Sequence, residues 1–341
     1  MISFNLKFIQ EDPCLKESVE GFISEWNNTE DYIIAFTSGS TGKPKEIRIL
    51  KSKMVESARM TGDFLRLKKG DNALLCLSIN TIGGKMMVVR SIVLELNLFV
   101  TAVDSNPLQK LDEHIDFVAM VPMQLHNSLL NNAFSLSDIR SIIIGGGSIS
   151  SALSHLLVEN NLSVYHTYGM TETISHVAMR RVGIEEDECF SSLGEPLFSE
   201  SNGQLVIKTR LLEHESIVTN DCIELIDNKH FKLLGRSDFV INSGGVKIHP
   251  EEVESKISKL IHAPFFITGL EDAYLGEKVI MCIENSEVLS LTKTDLLVSL
   301  SAYECPKEIY FITKFEVTES GKINRLKTVS KLNNKTLRIV L

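Results

Sequence analysis

The sequence has no paired cysteines, no excess of positive charge and no long uninterrupted apolar run, and each lack removes a class of protein. Its six cysteines, at 14, 76, 189, 222, 282 and 305, are scattered, and none forms a C-x-x-C pair. That spacing argues against a disulfide framework or a cysteine-rich zinc site and reads as the reduced thiols of a cytoplasmic protein. With 35 Lys and Arg against 44 Asp and Glu, the formal net charge is −9. No basic field exists to hold nucleic acid or an anionic membrane, although a local lysine cluster can still bind a small anion. The most apolar stretch, "KMMVVRSIVLELNLFVTAV", is broken by Arg90 and Glu95. It reads as a helix followed by a strand, not as a membrane span. The N-terminus "MISFNLKFIQEDP" carries acids within a dozen residues and lacks the apolar core of a signal peptide.

What is there is an ordinary globular composition, 43% hydrophobic and 23% charged over 341 residues. That length suits a large domain with a smaller one. From residue 31 to about 165, apolar runs alternate with helical patterns. "YIIAF", "ALLCL", "LFVTAV", "DFVAMV" and "SIIIGG" read as buried strands, with helices expected over 51–66, 84–96, 122–131 and 149–160. Such alternation favours parallel sheets with helices on both faces, whose ligands bind beyond the carboxyl ends of the strands. After residue 190 the texture changes to "GQLVIKT", "CIELID" and "HFKLLG", antiparallel strands with turns at Asn202-Gly203 and Asp227-Asn228. The expected fold class is α/β. A large domain over 1–235 combines helix-covered sheets with antiparallel strands, and a small α+β domain over 236–341 follows a hinge near 236–238.

Four segments stand out chemically. "TSGSTGKPK" (37–45) is not a Walker A loop, because only Ser40 and Thr41 separate Gly39 from Gly42, and Pro44 follows Lys43. Its glycines still allow tight turns that expose N–H groups, while Thr37, Ser38, Ser40 and Thr41 add hydroxyls and Lys43 and Lys45 add charge. A phosphate-gripping hairpin is favoured over a plain solvated turn. "YGMTET" (168–173) follows an apolar run, so that Tyr168 can stack on a purine, Thr171 can donate to a phosphate and Glu172 can hold Mg2+. An ordinary loop would look the same. "IIIGGGSIS" is a strand-to-helix turn with Ser148 as the expected N-cap, or a place where a flat ring lies on the backbone around Gly146. "VTNDCIEL" and "LLGRSDFV" supply Asp221, Arg236 and Asp238, read either as ribose contacts or as surface ion pairs. Lys322 in "TESGKINR" follows a glycine in a turn, and nothing local makes it catalytic.

In this order the segments resemble the adenylate-forming superfamily of acyl-CoA synthetases, peptide-synthetase adenylation domains and luciferases, from about residue 32 to 326. The resemblance implies that 37–45, with Thr37, Ser38, Gly39, Ser40, Thr41, Gly42 and Lys45, holds the β- and γ-phosphates of ATP. Tyr168 and Gly169 would flank adenine, Thr171 would contact the α-phosphate, and Glu172 would coordinate Mg2+. Asp221 and Arg236 would hold the ribose, and Asp238 would be the pivot. Lys322 would bridge the carboxylate and the nucleotide, and Gly244 and Gly245 would line the channel for the coenzyme A thiol. Three departures are visible. Only 36 residues precede the phosphate loop where relatives usually carry a domain-sized segment, which leaves open whether a second copy of the chain completes the acyl pocket. Asn220 replaces a usual glycine, a change ascribed here to asparagine's tolerance of positive φ. "VTESGK" lacks the usual proline-rich run before the lysine.

Within the superfamily, "GGKMMVVRS", "FVAMVPMQL" and "YGMTETISHVA" are similar to the branch that ligates o-succinylbenzoate to coenzyme A in menaquinone biosynthesis. On that similarity Arg90 and Ser175 would bind the substrate's second carboxylate or keto group, with Gly146 beside the acyl group and His176 as a wall residue. A dianionic acid calls for a buried cation; the competing expectation is that Arg90 pairs with Glu95. A ligase for another aryl or fatty acid and a non-catalytic nucleotide-binding homologue are the alternatives.

Overall fold

The computed structural model describes residues 4–36, 46–109, 111–131, 136–212, 214–261, 263–284, 292–317, 323–333 and 336–341. The chain divides into two compact units. One comprises Met1–Ser199, Val206–Ile217 and Ile226–Phe231; the other comprises Glu200–Leu205, Val218–Leu225 and Lys232–Leu341.

The first unit opens with β1 (Leu6–Phe8) and α1 (Pro13–Trp26), neither of which the apolar runs announced. Its start is nonetheless encoded: Asp12 accepts from Leu15 N at 3.0 Å and Pro13 occupies the first turn, where a missing N–H costs nothing. Val19, Phe22 and Trp26 form its buried stripe. Next, β2 (Tyr32–Phe36) and β3 (Glu46–Leu50) pair antiparallel from Tyr32↔Leu50 to Phe36↔Glu46 and form a sheet of their own. The expected strand "YIIAF" is therefore a hairpin arm and not part of the parallel sheet.

Then come α2 (Lys51–Leu65), β4 (Asn72–Leu75), α3 (Ile82–Val93), β5 (Asn97–Val100), β6 (Phe117–Met120), α4 (Pro122–Asn131), β7 (Ser141–Ile144), α5 (Ser151–Glu159) and β8 (Ser163–Gly169). The order β1-β5-β4-β6-β7-β8 is parallel throughout. All four residues of β6 and of β7 are buried, which is why these strands read as unbroken apolar runs and not as alternation. Leu74, Phe99, Val118, Met120, Leu125, Ile142, Ile144 and Val164 share one core between sheet and helices. β9 (His176–Gly183) and β10 (Phe190–Ser192) then continue the sheet antiparallel.

Four strands run through the division between the units: β11 (Leu197–Ser201), β12 (Gln204–Lys208), β13 (Ser216–Leu225) and β14 (His230–Arg236). Asn202 and Gly203 lie between the first two at φ 53° and 82°, as the Asn-Gly signal required. The second unit continues with β15 (Ile241–Ser243), β16 (Val246–Ile248), α6 (Pro250–Ile257), β17 (Phe265–Asp272), β18 (Gly276–Glu284), α7 (Lys293–Leu297), β19 (Glu308–Ile312), α8 (Arg325–Val329) and β20 (Arg338–Val340). Its sheet runs β16-β15-β18-β19-β20, with β17 also on β18. Val253, Ile257, Ile267, Val279, Met281 and Leu296 form its separate core. Among the described residues, no helix is long and apolar enough to cross a membrane.

Candidate active site

The glycine turn after β7 is seated on β8. Thr167 Oγ1 donates to the Ile144 carbonyl at 3.0 Å, and His166 Nε2 donates to the Gly147 carbonyl at 3.2 Å. A Cβ on Gly145 would lie 2.6 Å from Thr167 Oγ1, and Gly146 sits at φ +78°, so neither position accepts a side chain without strain. The helix that follows is capped by Ser150, which accepts from Leu153 N at 3.2 Å. Ser148, the expected cap, belongs to the turn. The glycine segment is therefore two residues longer than its sequence suggested and leaves more backbone free at the sheet's carboxyl edge. Burial and the charge of Arg180 push the His166 imidazole down to about 4. With its proton on Nε2, its buried Nδ1 has no hydrogen-bond partner among the described residues. No motif in the sequence marks this histidine.

β8 runs to Gly169, so Tyr168 is a strand residue and not a loop residue. It is buried, with its ring edge-on to Phe231 at 5.1 Å and to Phe190 at 5.8 Å. Beyond it the chain folds back tightly. A Cβ on Gly169 would come within 2.3 Å of the Ser175 carbonyl oxygen. Thr173 Oγ1 accepts from Met170 N at 2.9 Å and lies 2.8 Å from the Ser175 carbonyl oxygen. Ile174 adopts φ 69°, a costly conformation for a β-branched residue, so that strain is concentrated in this turn. Thr171 is half-buried, and Glu172 reaches solvent.

The turn delivers Ser175 and His176 to Arg90. Arg90, from the last turn of α3, is 2% exposed. Its Nη2 donates to Ser175 Oγ at 2.7 Å, its Nε donates to Thr61 Oγ1 on α2 at 3.2 Å, and its Nη1 faces Met87 Sδ at 3.9 Å. Glu95 pairs with Lys69 at 2.5 Å instead, which disposes of the alternative partner. Burial alone pulls the guanidinium down to about 9, so it remains charged at neutral pH with no carboxylate among the described residues offsetting the cost. A buried charge held only by neutral acceptors is expensive, and a ligand's anion would offset that expense. The His176 ring is held well below its ordinary value by burial first and by Arg90 second.

In the second unit, Arg236 bridges two acids, with Nη2 2.7 Å from Asp238 Oδ2 and Nη1 3.6 Å from Asp221 Oδ1. Asn220 Nδ2 donates to Asp238 Oδ1 at 3.3 Å. Asn220 lies within β13 and has no positive φ, so the reason expected for its tolerance was mistaken. The strand is extended there and accepts any side chain, and this one reaches Asp238. Gly244 and Gly245, at φ 58° and 83°, form the two-residue turn between β15 and β16. The 37–45 loop, with Thr37, Ser38, Gly39, Ser40, Thr41, Gly42 and Lys45, and Lys322, expected from the resemblance to serve adenylation, lie outside the described residues.

No group of three or more His, Cys, Asp or Glu among the described residues could hold a metal unaided. The exposed Glu172 is instead the kind of single carboxylate that Mg2+ uses when nucleotide phosphates and water complete its shell. The donor set thus fits a nucleotide-borne magnesium ion.

A largely parallel sheet alternating with helices, with glycine turns at its carboxyl edge, is an α/β architecture whose ligands bind beyond the strand ends. Residues 6–206 match the AMP-binding enzyme family, and the chain belongs to that family. The crystal structure of an acyl-CoA synthetase (AMP-forming)/AMP-acid ligase II-like protein from Dyadobacter fermentans is 36% identical, with TM-score 0.63, over 95% of this chain and 96% of that one. A 2-succinylbenzoate–CoA ligase of Bacillus mycoides is 26% identical over 90% of this chain and 71% of its own length. The o-succinylbenzoate coenzyme A synthetase of Bacillus subtilis, solved with ATP and magnesium ion, shares the fold at TM-score 0.72 and 21% identity, over 87% of this chain and 69% of that one. Within the family the chain therefore stands with the AMP-forming acid–CoA ligases.

Proposed function

We propose that the chain is an ATP-dependent, cytoplasmic acid–CoA ligase whose acid is o-succinylbenzoate. The observation that carries the substrate is Arg90, a buried cation with hydroxyl partners and no carboxylate beside it among the described residues. An aryl acid with a second carboxylate supplies the missing anion, whereas a fatty acid or benzoate would leave the charge uncompensated. The glycine turn at 145–147 offers bare backbone against which a planar acyl ring can lie.

In the first step the reacting carboxylate attacks the α-phosphorus of ATP and expels pyrophosphate. Two anions must meet, and aligned donors lower that electrostatic cost. Thr171 and the 37–45 loop are assigned to the phosphates, Tyr168 and Gly169 to adenine, Asp221 and Arg236 to the ribose, and Lys322 to the bridge between carboxylate and nucleotide. Magnesium ion, when bound, neutralises phosphate charge, and Glu172 is the residue assigned to hold it. In the second step the coenzyme A thiol attacks the acyl-adenylate and AMP leaves, with Gly244 and Gly245 lining its approach. A hinge at Asp238, the start of a mobile C-terminal domain, would allow one site to serve both steps.

The test is pyrophosphate release from ATP–Mg2+ with o-succinylbenzoate, benzoate, a medium-chain fatty acid and an amino acid, each with and without coenzyme A. Release with o-succinylbenzoate far faster than with the other three acids, followed by thioester formation, is expected. Faster release with another acid would keep the chemistry and overturn the substrate; silence with all four would overturn the ligase reading of these residues.

A further inference from the structure

The hydrogen atoms around Arg90 can be assigned one by one, and together they give two residues a role that no motif gives them. Thr61 Oγ1 lies 3.1 Å from the Ser57 carbonyl oxygen, which can only accept, so the threonine proton points there. The same oxygen therefore accepts from both other neighbours, Arg90 Nε at 3.2 Å and His176 Nε2 at 2.9 Å. His176 must then carry its proton on Nε2, which leaves Nδ1 as an acceptor. Ser175 Oγ, 3.4 Å from that Nδ1, points its proton to the histidine and its lone pairs to Arg90 Nη2 at 2.7 Å. The ring of bonds closes. Thr61 and Ser175 each take one N–H of the guanidinium; the Ser57 carbonyl orients the Thr61 hydroxyl and His176 Nδ1 orients that of Ser175, so that their lone pairs face Arg90, while His176 Nε2 donates to Thr61.

We propose that Thr61 and His176 are positioning residues which fix the Arg90 guanidinium so that its remaining N–H groups are presented to the distal carboxylate of a diacid. The inference rests on the assignment of Arg90 to that carboxylate. Thr61 is fully buried and His176 is 7% exposed, so both act from within the protein and neither needs to touch the substrate. Neutrality of His176 is part of the device, since a second buried cation would compete for the ligand's charge and turn Nδ1 from acceptor to donor. Ser57 Oγ, one turn before Thr61 on α2, is buried with no hydrogen-bond partner among the described residues, so this polar tract keeps unused capacity.

The decisive experiment compares Thr61→Val, Thr61→Ser and Arg90→Lys in the full-length protein. It reads KM and kcat for o-succinylbenzoate, KM for ATP, and thermal stability. Thr61→Val should raise KM for the diacid roughly tenfold or more, as expected for losing a hydrogen bond to a charged group, with kcat and the ATP KM little changed. Thr61→Ser should restore it. A merely structural role would lower stability and move all kinetic constants together. If Arg90→Lys leaves the diacid KM unchanged, the assignment of Arg90 itself fails. If Arg90→Lys raises it while Thr61→Val does not, the positioning role alone fails. Should Thr61→Val be insoluble, His176→Leu and His176→Gln provide the same contrast, because glutamine keeps the donor to Thr61 and leucine does not; equal KM values for the two would overturn the proposal.

Discussion

Two arginines, one in each unit, show how burial decides what a cation is for. Arg90 is enclosed and, among the described residues, touches only hydroxyls and a thioether, with no carboxylate to compensate its charge. Arg236 has 41% of its side chain exposed and already grips Asp221 and Asp238. A buried cation without a counterion binds an incoming anion strongly and selectively, because both are screened little. An exposed cation between two acids gains little from either contact and exchanges partners at little cost. The first arrangement suits recognition of one acid; the second suits a segment whose contacts change between two reaction steps.

The largest effect that would sharpen this division lies with Lys322. If Lys322 bridges the carboxylate and the nucleotide while Arg90 recognises the acid, Lys322→Ala should slow adenylation on the order of 10³-fold, about 4 kcal/mol, while diacid binding is unchanged. Pyrophosphate release combined with equilibrium binding checks this, and unchanged adenylation would remove the lysine from the mechanism.

Next comes the acid sensitivity of the first unit. His166 is held neutral in the folded state, at about 4 against an ordinary 6.5. It takes up a proton on unfolding, so its contribution is fully present above pH 6.5 and is lost as pH falls towards 4. The full shift corresponds to about 3 kcal/mol. His176 pushes in the same direction. Denaturant midpoints should fall across that window, and His166→Gln should flatten the slope; an unchanged slope would contradict the neutral, buried assignment.

Arg236→Ala should cost less. Stability should move by no more than about 0.5 kcal/mol, as for an exposed pair, while the KM for ATP rises about tenfold. A diacid KM that rose equally would break the contrast between the arginines. The smallest effect is expected at Asn220. Its bond to Asp238 is long and exposed, so Asn220→Gly should lower thermal stability by less than about 1 kcal/mol and leave acid recognition untouched.

Much of the first unit was legible in the sequence because strands buried on both faces cannot hide: "FVAM" and "SIII" have no polar side to confuse the reading. The ends were harder. β1 is only three residues long, and the start of α1 depended on Asp12 and Pro13 rather than on apolar content. The sequence points to Ser148 rather than Ser150 as the cap because Ser148, Ser150 and Ser151 lie within four residues and offer the same chemistry, and only the path of the glycine turn selects one. The site was legible as motifs but not as a network. Arg90 and Ser175 lie 85 residues apart, and Thr61 and His176 lie 115 apart, so their meeting is a product of topology. No local pattern could have nominated Thr61, whose hydroxyl matters only because α2, α3 and β9 converge.

The most direct test of the central claim is the ratio of kcat/KM for o-succinylbenzoate to that for benzoate, measured in the unaltered protein and in Arg90→Ala. A buried cation that recognises the second carboxylate predicts a ratio that collapses by about a hundredfold, with benzoate turnover nearly unchanged. An equal loss for both acids would mean that Arg90 supports the fold rather than the substrate, and would contradict the account.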